Sequence, residues 1–110
     1  MTDFAAIIIP ADAATPIQFV RLRGTLQAAR DVVGGDIEGI SSPAGAAAYC
    51  NDLGKLANLT PNIRATRFLA SIARHKAGDL IAGDVLIVGV DDKGGTVDVP
   101  AGVSDSARTI

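Results

Sequence analysis

The chain is short of the residues on which most small-protein chemistry is built. It has one cysteine, Cys50, and one histidine, His75, in 110 residues. That excludes an internal disulfide and any Cys/His-rich zinc site. Aromatic residues make up 4% and tryptophan is absent, which argues against a base-stacking platform for single strands. Positive charge is not in excess either. Ten Lys and Arg stand against 12 Asp and Glu, a formal charge of -2, the wrong sign for a protein that neutralises many phosphates. Nucleic acid is therefore not an expected partner. Gly83 and Asp84 interrupt the longest apolar run well short of the roughly 20 residues a spanning helix needs, so no membrane is expected. Met1-Thr2-Asp3-Phe4 has no cationic segment of the kind that begins a secretory signal, and a cytoplasmic location is the expectation.

What is present is a small, alanine-rich chain, 48% hydrophobic, with the length of a single domain over residues 1–110. Its 19 Ala, 11 Asp against one Glu, and 7 Arg against 3 Lys form the bias a GC-rich genome writes at permissive positions. Large apolar anchors are few: Phe4, Phe19, Tyr49, Phe68 and the Ile/Leu/Val set. Each contributes roughly 1.5–3 kcal/mol when buried. A core so poor in them stands to gain from association with a second copy, and a homo-oligomer is expected.

The apolar run Phe4 to Ile9, closed by Pro10, predicts a buried strand, and Ile17 to Leu22 a second, with Ile17 and Phe19 on one face. Gly24-Thr25 opens a helix whose stripe is Leu26, Ala29 and Val33, and Gly34-Gly35 stops it. Asp36 to Ile40 predicts a third strand, followed by the loop Ser41 to Gly45. Ala46–Asn51 and Lys55–Leu59 flank Asp52-Leu53-Gly54, which reads as a hairpin with Gly54 at positive φ. Thr60 or Asn62 caps a second helix. Its buried stripe is Ala65, Phe68, Leu69, Ile72, Ala73 and Lys76, and Gly78 ends it. Val85–Val88 is the densest strand and the expected centre, and Asp91 to Gly95 turns into Thr96–Val99. Residues 1–3 and 101–110 carry few anchors and are expected to fray. The order predicts an α+β fold, a small, mostly antiparallel sheet with two helices packed on one face. Pairing of the two N-terminal strands, with each other or with Val85–Val88, is left open.

Candidate chemistry concentrates on the second helix. Arg64, Arg67, Ser71 and Arg74 share one narrow arc opposite the apolar stripe. Three guanidiniums in a row are either a solvated outer face or a grip for phosphate or carboxylate. Thr60 to Thr66 adds an amide (Asn62), two hydroxyls (Thr60 and Thr66) and a guanidinium (Arg64) at a helix N-terminus, where unpaired N–H groups and the dipole favour an anion. Tyr49, with Asn51 beside it, is either a strand aromatic or a stacking surface for a base. The ligand-binding candidates are thus Tyr49, Asn51, Asn62, Arg64, Thr66 and Arg67. His75 reads as a helix-end residue and Cys50 as a small core residue, since nothing near it lowers its pKa. Asp91-Asp92 falls short of a calcium shell, and Gly34-Gly35 and Gly94-Gly95 match no nucleotide loop. No catalytic set and no cofactor motif emerges.

From Leu26 onward the motifs have a pattern. They are Asp31-Val-Val-Gly-Gly35 with Ile37-Glu38, Tyr49-Cys-Asn-Asp-Leu-Gly-Lys55, Leu59-Thr-Pro-Asn-Ile-Arg-Ala-Thr66, Ile81-Ala-Gly-Asp-Val-Leu-Ile-Val-Gly89 and Asp91-Asp-Lys-Gly94. This resembles a domain-of-unknown-function family of small proteins encoded by phages, plasmids and their bacterial hosts. Leu53 stands where such proteins usually carry a Glu, which implies that this turn's side chain is not functional. The resemblance implies a mobile-element accessory protein acting in the host cytoplasm, not an enzyme. By analogy with phage anti-defence sponges, it implies sequestration of a small anionic, nucleotide-derived signal in a pocket closed by two subunits. The alternative is a stoichiometric inhibitor that binds a host protein through an exposed apolar patch.

Overall fold

The computed structural model describes residues 3–41, 45–73, 75, 76 and 78–110. Its elements in chain order are β1 (Asp3–Ile9), β2 (Gln18–Arg23), α1 (Leu26–Val33), β3 (Ile37–Ser41), β4 (Ala46–Asn51), α2 (Ile63–Ile72), β5 (Val85–Val90), β6 (Thr96–Val97) and α3 (Ala101–Ala107). The six strands form one antiparallel sheet in the order β2-β1-β5-β4-β3, with β6 beside the end of β5. The α+β class and the central place of Val85–Val88 are as expected. The open pairing is resolved in both senses: β1 pairs with β2 through Asp3↔Arg23 to Ile8↔Gln18, and with β5 through Ile7↔Ile87.

The two helices expected from the sequence, α1 and α2, do not share a face. Side chains alternate along a strand, and on β1 and β5 both rows are apolar. Ile7, Ile9, Val85 and Ile87 join Ala65, Phe68 and Leu69 of α2 and Ala107 of α3 in one core. Ala6, Leu86 and Val88 join Val33 of α1 in a second core on the opposite face. A central strand with two apolar rows needs cover on both sides, and this overturns the expectation of two helices on one face. α1 packs mainly on β3, β4 and β5. Phe4, Ile8, Val20 and Leu22, toward the β2 edge of that face, are only half-buried.

Local chemistry accounts for the ends of α1. The Thr25 hydroxyl accepts from the Ala28 N–H at 3.2 Å, and Gly34 takes φ 78° while its N–H donates to the Arg30 carbonyl. At Gly89 a Cβ would lie 2.0 Å from the Asp98 carbonyl oxygen, so only glycine lets the chain after β6 cross β5 this closely.

Three further expectations are corrected. Asp52 to Asn58 forms successive turns rather than a hairpin, so Lys55–Leu59 is no strand and β4 pairs with β3 and β5 instead. Asn51 starts those turns by accepting the Leu53 N–H on its side-chain oxygen at 2.8 Å. Asn58, not Gly54, carries the positive φ there, at 55°. α2 ends at Ile72, with Ala73 extended at φ -140°, so Lys76 and His75 lie beyond it. Residues 101–107 form α3, which packs on α2 and buries Ala107, where fraying was expected. Short, glycine- and serine-containing Ala101–Ala107 has little intrinsic helix preference and owes its order to that contact.

Candidate functional site

The N-terminus of α2 is where the sequence concentrates its polar candidates, and the fold turns most of them inward. Asn62 is fully buried. Its side-chain oxygen accepts the Ala65 N–H at 3.0 Å, while its amide donates to the carbonyls of Ile9 at 2.7 Å and Gly83 at 3.0 Å. The Thr66 hydroxyl donates to the Asn62 carbonyl at 2.8 Å and accepts from the Ile81 N–H at 3.1 Å. One Nη of Arg64 donates to three carbonyls, those of Pro10, Asp12 and Thr15, at 2.7–3.0 Å, and so clasps the β1–β2 connection. Its Nε is buried without a partner. Arg67 is exposed, the Ser71 hydroxyl donates back to the Phe68 carbonyl, and Arg74 lies outside the described residues. These residues tie residues 9–15, 60–66 and 81–83 together. A local cap could be read from spacing, but the carbonyls that occupy Asn62 and Arg64 are 21 to 54 positions away in the chain.

Tyr49 and Asn51 lie elsewhere. Asn51 donates to the Val33 carbonyl at 3.2 Å and so pins the end of α1 to β4. Half-buried Tyr49 faces a cavity of about 120 Å³ between α1 and the sheet. Its walls are aliphatic and aromatic, with Phe4, Leu22, Ile37, Leu86 and Val88 among them, and Arg23, Thr25 and Thr96 add polar groups. Among the described residues no Asp, Glu, His, Lys or Cys lines it. The cavity exists because α1, with Ala29 facing the sheet, brings too little side-chain volume to fill the space above β5 and β1. The structure thus separates Tyr49 from the Asn62/Arg64/Thr66/Arg67 group, which belongs to the other side of the sheet.

A second, more polar cleft of about 250 Å³ involves Glu38, Cys50, Asp52, Lys55, His75 and Asp79. His75 was expected at a helix end. It stands in the loop after α2, with Nε2 at 2.8 Å from the Asp79 carbonyl. Lys55 pairs with the Asp79 carboxylate at 3.0 Å, and that hydrogen bond holds the carboxyl below its usual pKa. Cys50 is 7% exposed and belongs to the core. Burial, then the nearby Glu38 and Asp52, pushes its thiol up to about 11. The thiolate that a nucleophile or metal ligand requires is therefore disfavoured at neutral pH. Among the described residues no group of three or more His, Cys, Asp and Glu is placed to hold a metal ion. The Asp91 carboxylate is used in its own turn, accepting the N–H groups of Lys93 and Gly95. No helix among the described residues is long and apolar enough to cross a membrane.

The fold and the cavity define a small α+β protein with an antiparallel sheet between α1 and the α2–α3 pair, and with contact groups rather than an acid–base pair around its apolar pocket. A family model described as a domain of unknown function, DUF3846, matches residues 4–108, and the chain belongs to that family. The match takes in β1 and β2 as well as the motifs from Leu26 onward. Neither the curated proteins nor the solved structures contain a match.

Proposed function

We propose that this is a non-catalytic binding protein, an accessory of a phage or other mobile element, that sequesters a small nucleotide-derived signal by taking its planar ring into the Tyr49 cavity. The observation that carries this reading is the composition of that cavity. It offers an aromatic face, aliphatic walls and the hydroxyls of Thr25 and Thr96. At about 120 Å³ it is somewhat smaller than the roughly 150 Å³ cavities known to bind benzene, so it takes one edge of a ring rather than enclosing the whole of it. The α2 N-terminus is a weaker candidate, because Asn62 and Thr66 have their donors and acceptors engaged within the chain.

The test is thermal unfolding with cyclic dinucleotides, cyclic trinucleotides and cyclic ADP-ribose isomers. A ligand at a hundred times its Kd stabilises by about 2.7 kcal/mol, which raises Tm by roughly 10 °C in a domain of this size. Ala29→Leu fills the cavity from α1. It is expected to keep or raise the Tm of the free protein and to abolish the ligand shift, whereas Arg67→Ala leaves the shift intact. If no compound moves Tm, the reading fails. If one does and Ala29→Leu still responds, the ligand sits elsewhere.

A second reading, a stoichiometric inhibitor of a host protein, is favoured by the leucines near the polar cleft. Leu56 is 85% exposed, and Leu53 and Leu80 are exposed as well. Recovery of one host protein at equal stoichiometry, lost on Leu56→Asp, supports it over sequestration.

A further inference from the structure

The two ends of the sheet are built differently. At β3 the ladder shifts register between Gly39 and Ser41, and Glu38 is exposed. A bulge is one of the usual means of keeping an edge from pairing with another chain. At β2 the register to β1 runs without interruption over six residues, Gln18 to Arg23, with no proline and no bulge. Among the described residues β2 pairs with β1 alone, so its outer row of N–H and C=O groups is open to another strand. On the α1 face, Val20 and Leu22 are half-buried beside a region of sheet the helix does not cover. On the other face are Phe19, Arg21 and Arg23. Arg21 is turned back to donate to the Asp3 carbonyl at 2.9 Å, and Phe19 is 43% exposed with the Arg108 guanidinium over its ring.

We propose that β2 pairs antiparallel with β2 of a second copy, about a two-fold axis at Val20, to make one continuous sheet across a homodimer. Side-chain complementarity selects both the partner and the register. A two-fold axis perpendicular to the sheet keeps each face on its own side, so facing residues must come from the same row. With the axis at Val20, valine meets valine, Gln18 meets Leu22, and Phe19 meets the partner's Arg21. That last pair sets a guanidinium against an aromatic ring that already carries one. With the axis moved to Arg21, two like charges stand directly opposed, which is unfavourable. The Val20 register also brings the partner's Gln18 beside Leu22, a wall of the Tyr49 cavity, so the dimer edge borders that pocket. The pairing itself stands whether or not the cavity takes a ligand.

The experiment is sedimentation of the full chain over a range of concentrations, with cysteine cross-linking in a Cys50→Ser background. The wild type is expected at twice the mass of the chain, and Val20→Lys, which sets two ammonium groups against each other on the axis, at the monomer mass with its circular dichroism kept. Val20→Cys is expected to form a disulfide dimer on mild oxidation. Arg21→Cys does so only when mixed with Phe19→Cys. A wild type that stays monomeric at high micromolar concentration overturns the proposal. So does cross-linking of Arg21→Cys with itself in preference to Val20→Cys. The cysteine series decides the matter even where Val20→Lys fails to fold.

Discussion

The two faces of this sheet do different work. Among the described residues, the face under α2 and α3 buries 13 hydrophobic side chains, Phe68, Leu69, Ile7 and Ile9 among them, and is laced by the polar contacts of buried Asn62 and Thr66. Among the same described residues the face under α1 buries four, Ala6, Val33, Leu86 and Val88, and leaves a cavity beside Tyr49. Packing density is what makes an interior costly to disturb. The first face is therefore where stability resides, and the second is where space remains for a ligand or a neighbour.

Matched truncations break or sharpen that contrast. Leu69→Ala, on the close-packed face, is expected to cost about 4–5 kcal/mol, and Leu86→Ala, beside an existing cavity, about 2–3 kcal/mol, both read from denaturant midpoints. Equal losses would mean that the two faces are equally tight. Asn62→Ala comes next, at about 2–3 kcal/mol, because it removes a cap and leaves the Ile9 and Gly83 carbonyls without their donor. The smallest effect at neutral pH belongs to Cys50. Its folded pKa is raised from 9.0 to about 11, so the unfolded chain loses its proton first as pH rises. Stability is then full below about pH 9 and falls by about 2–3 kcal/mol toward pH 11. Cys50→Ala is expected to lack that alkaline component, measured by unfolding across the range.

Features set by near neighbours were legible in the residues. The apolar density of Phe4–Ile9 and Val85–Val88 marked β1 and β5, and Thr25 and Gly34 marked the ends of α1, because a cap is satisfied within four positions. Turn residues around Asp52 and Gly54 misled in one respect. They identified a turn but not that the chain keeps turning to Asn58, since a hairpin needs a second strand and that place beside β4 is taken by β5. The candidate site divided in the same way. Asn62 was visible as a cap, yet its amide's partners come from β1 and from the segment before β5. Tyr49 was visible as an aromatic in an alanine-rich strand, whereas the cavity it faces is made by α1, β1, β5 and β6 together.

By themselves the residues determined the class of fold, the central strand, the caps of α1 and the scarcity of cysteine and histidine, since each depends on composition or on neighbours along the chain. Which face each helix covers, which carbonyls take up Arg64, where empty volume is left beside Tyr49 and which sheet edge stays open were decided only in three dimensions. Those are relations between segments tens of residues apart, and alternating apolar rows allow more than one arrangement until every buried polar group has found its partner.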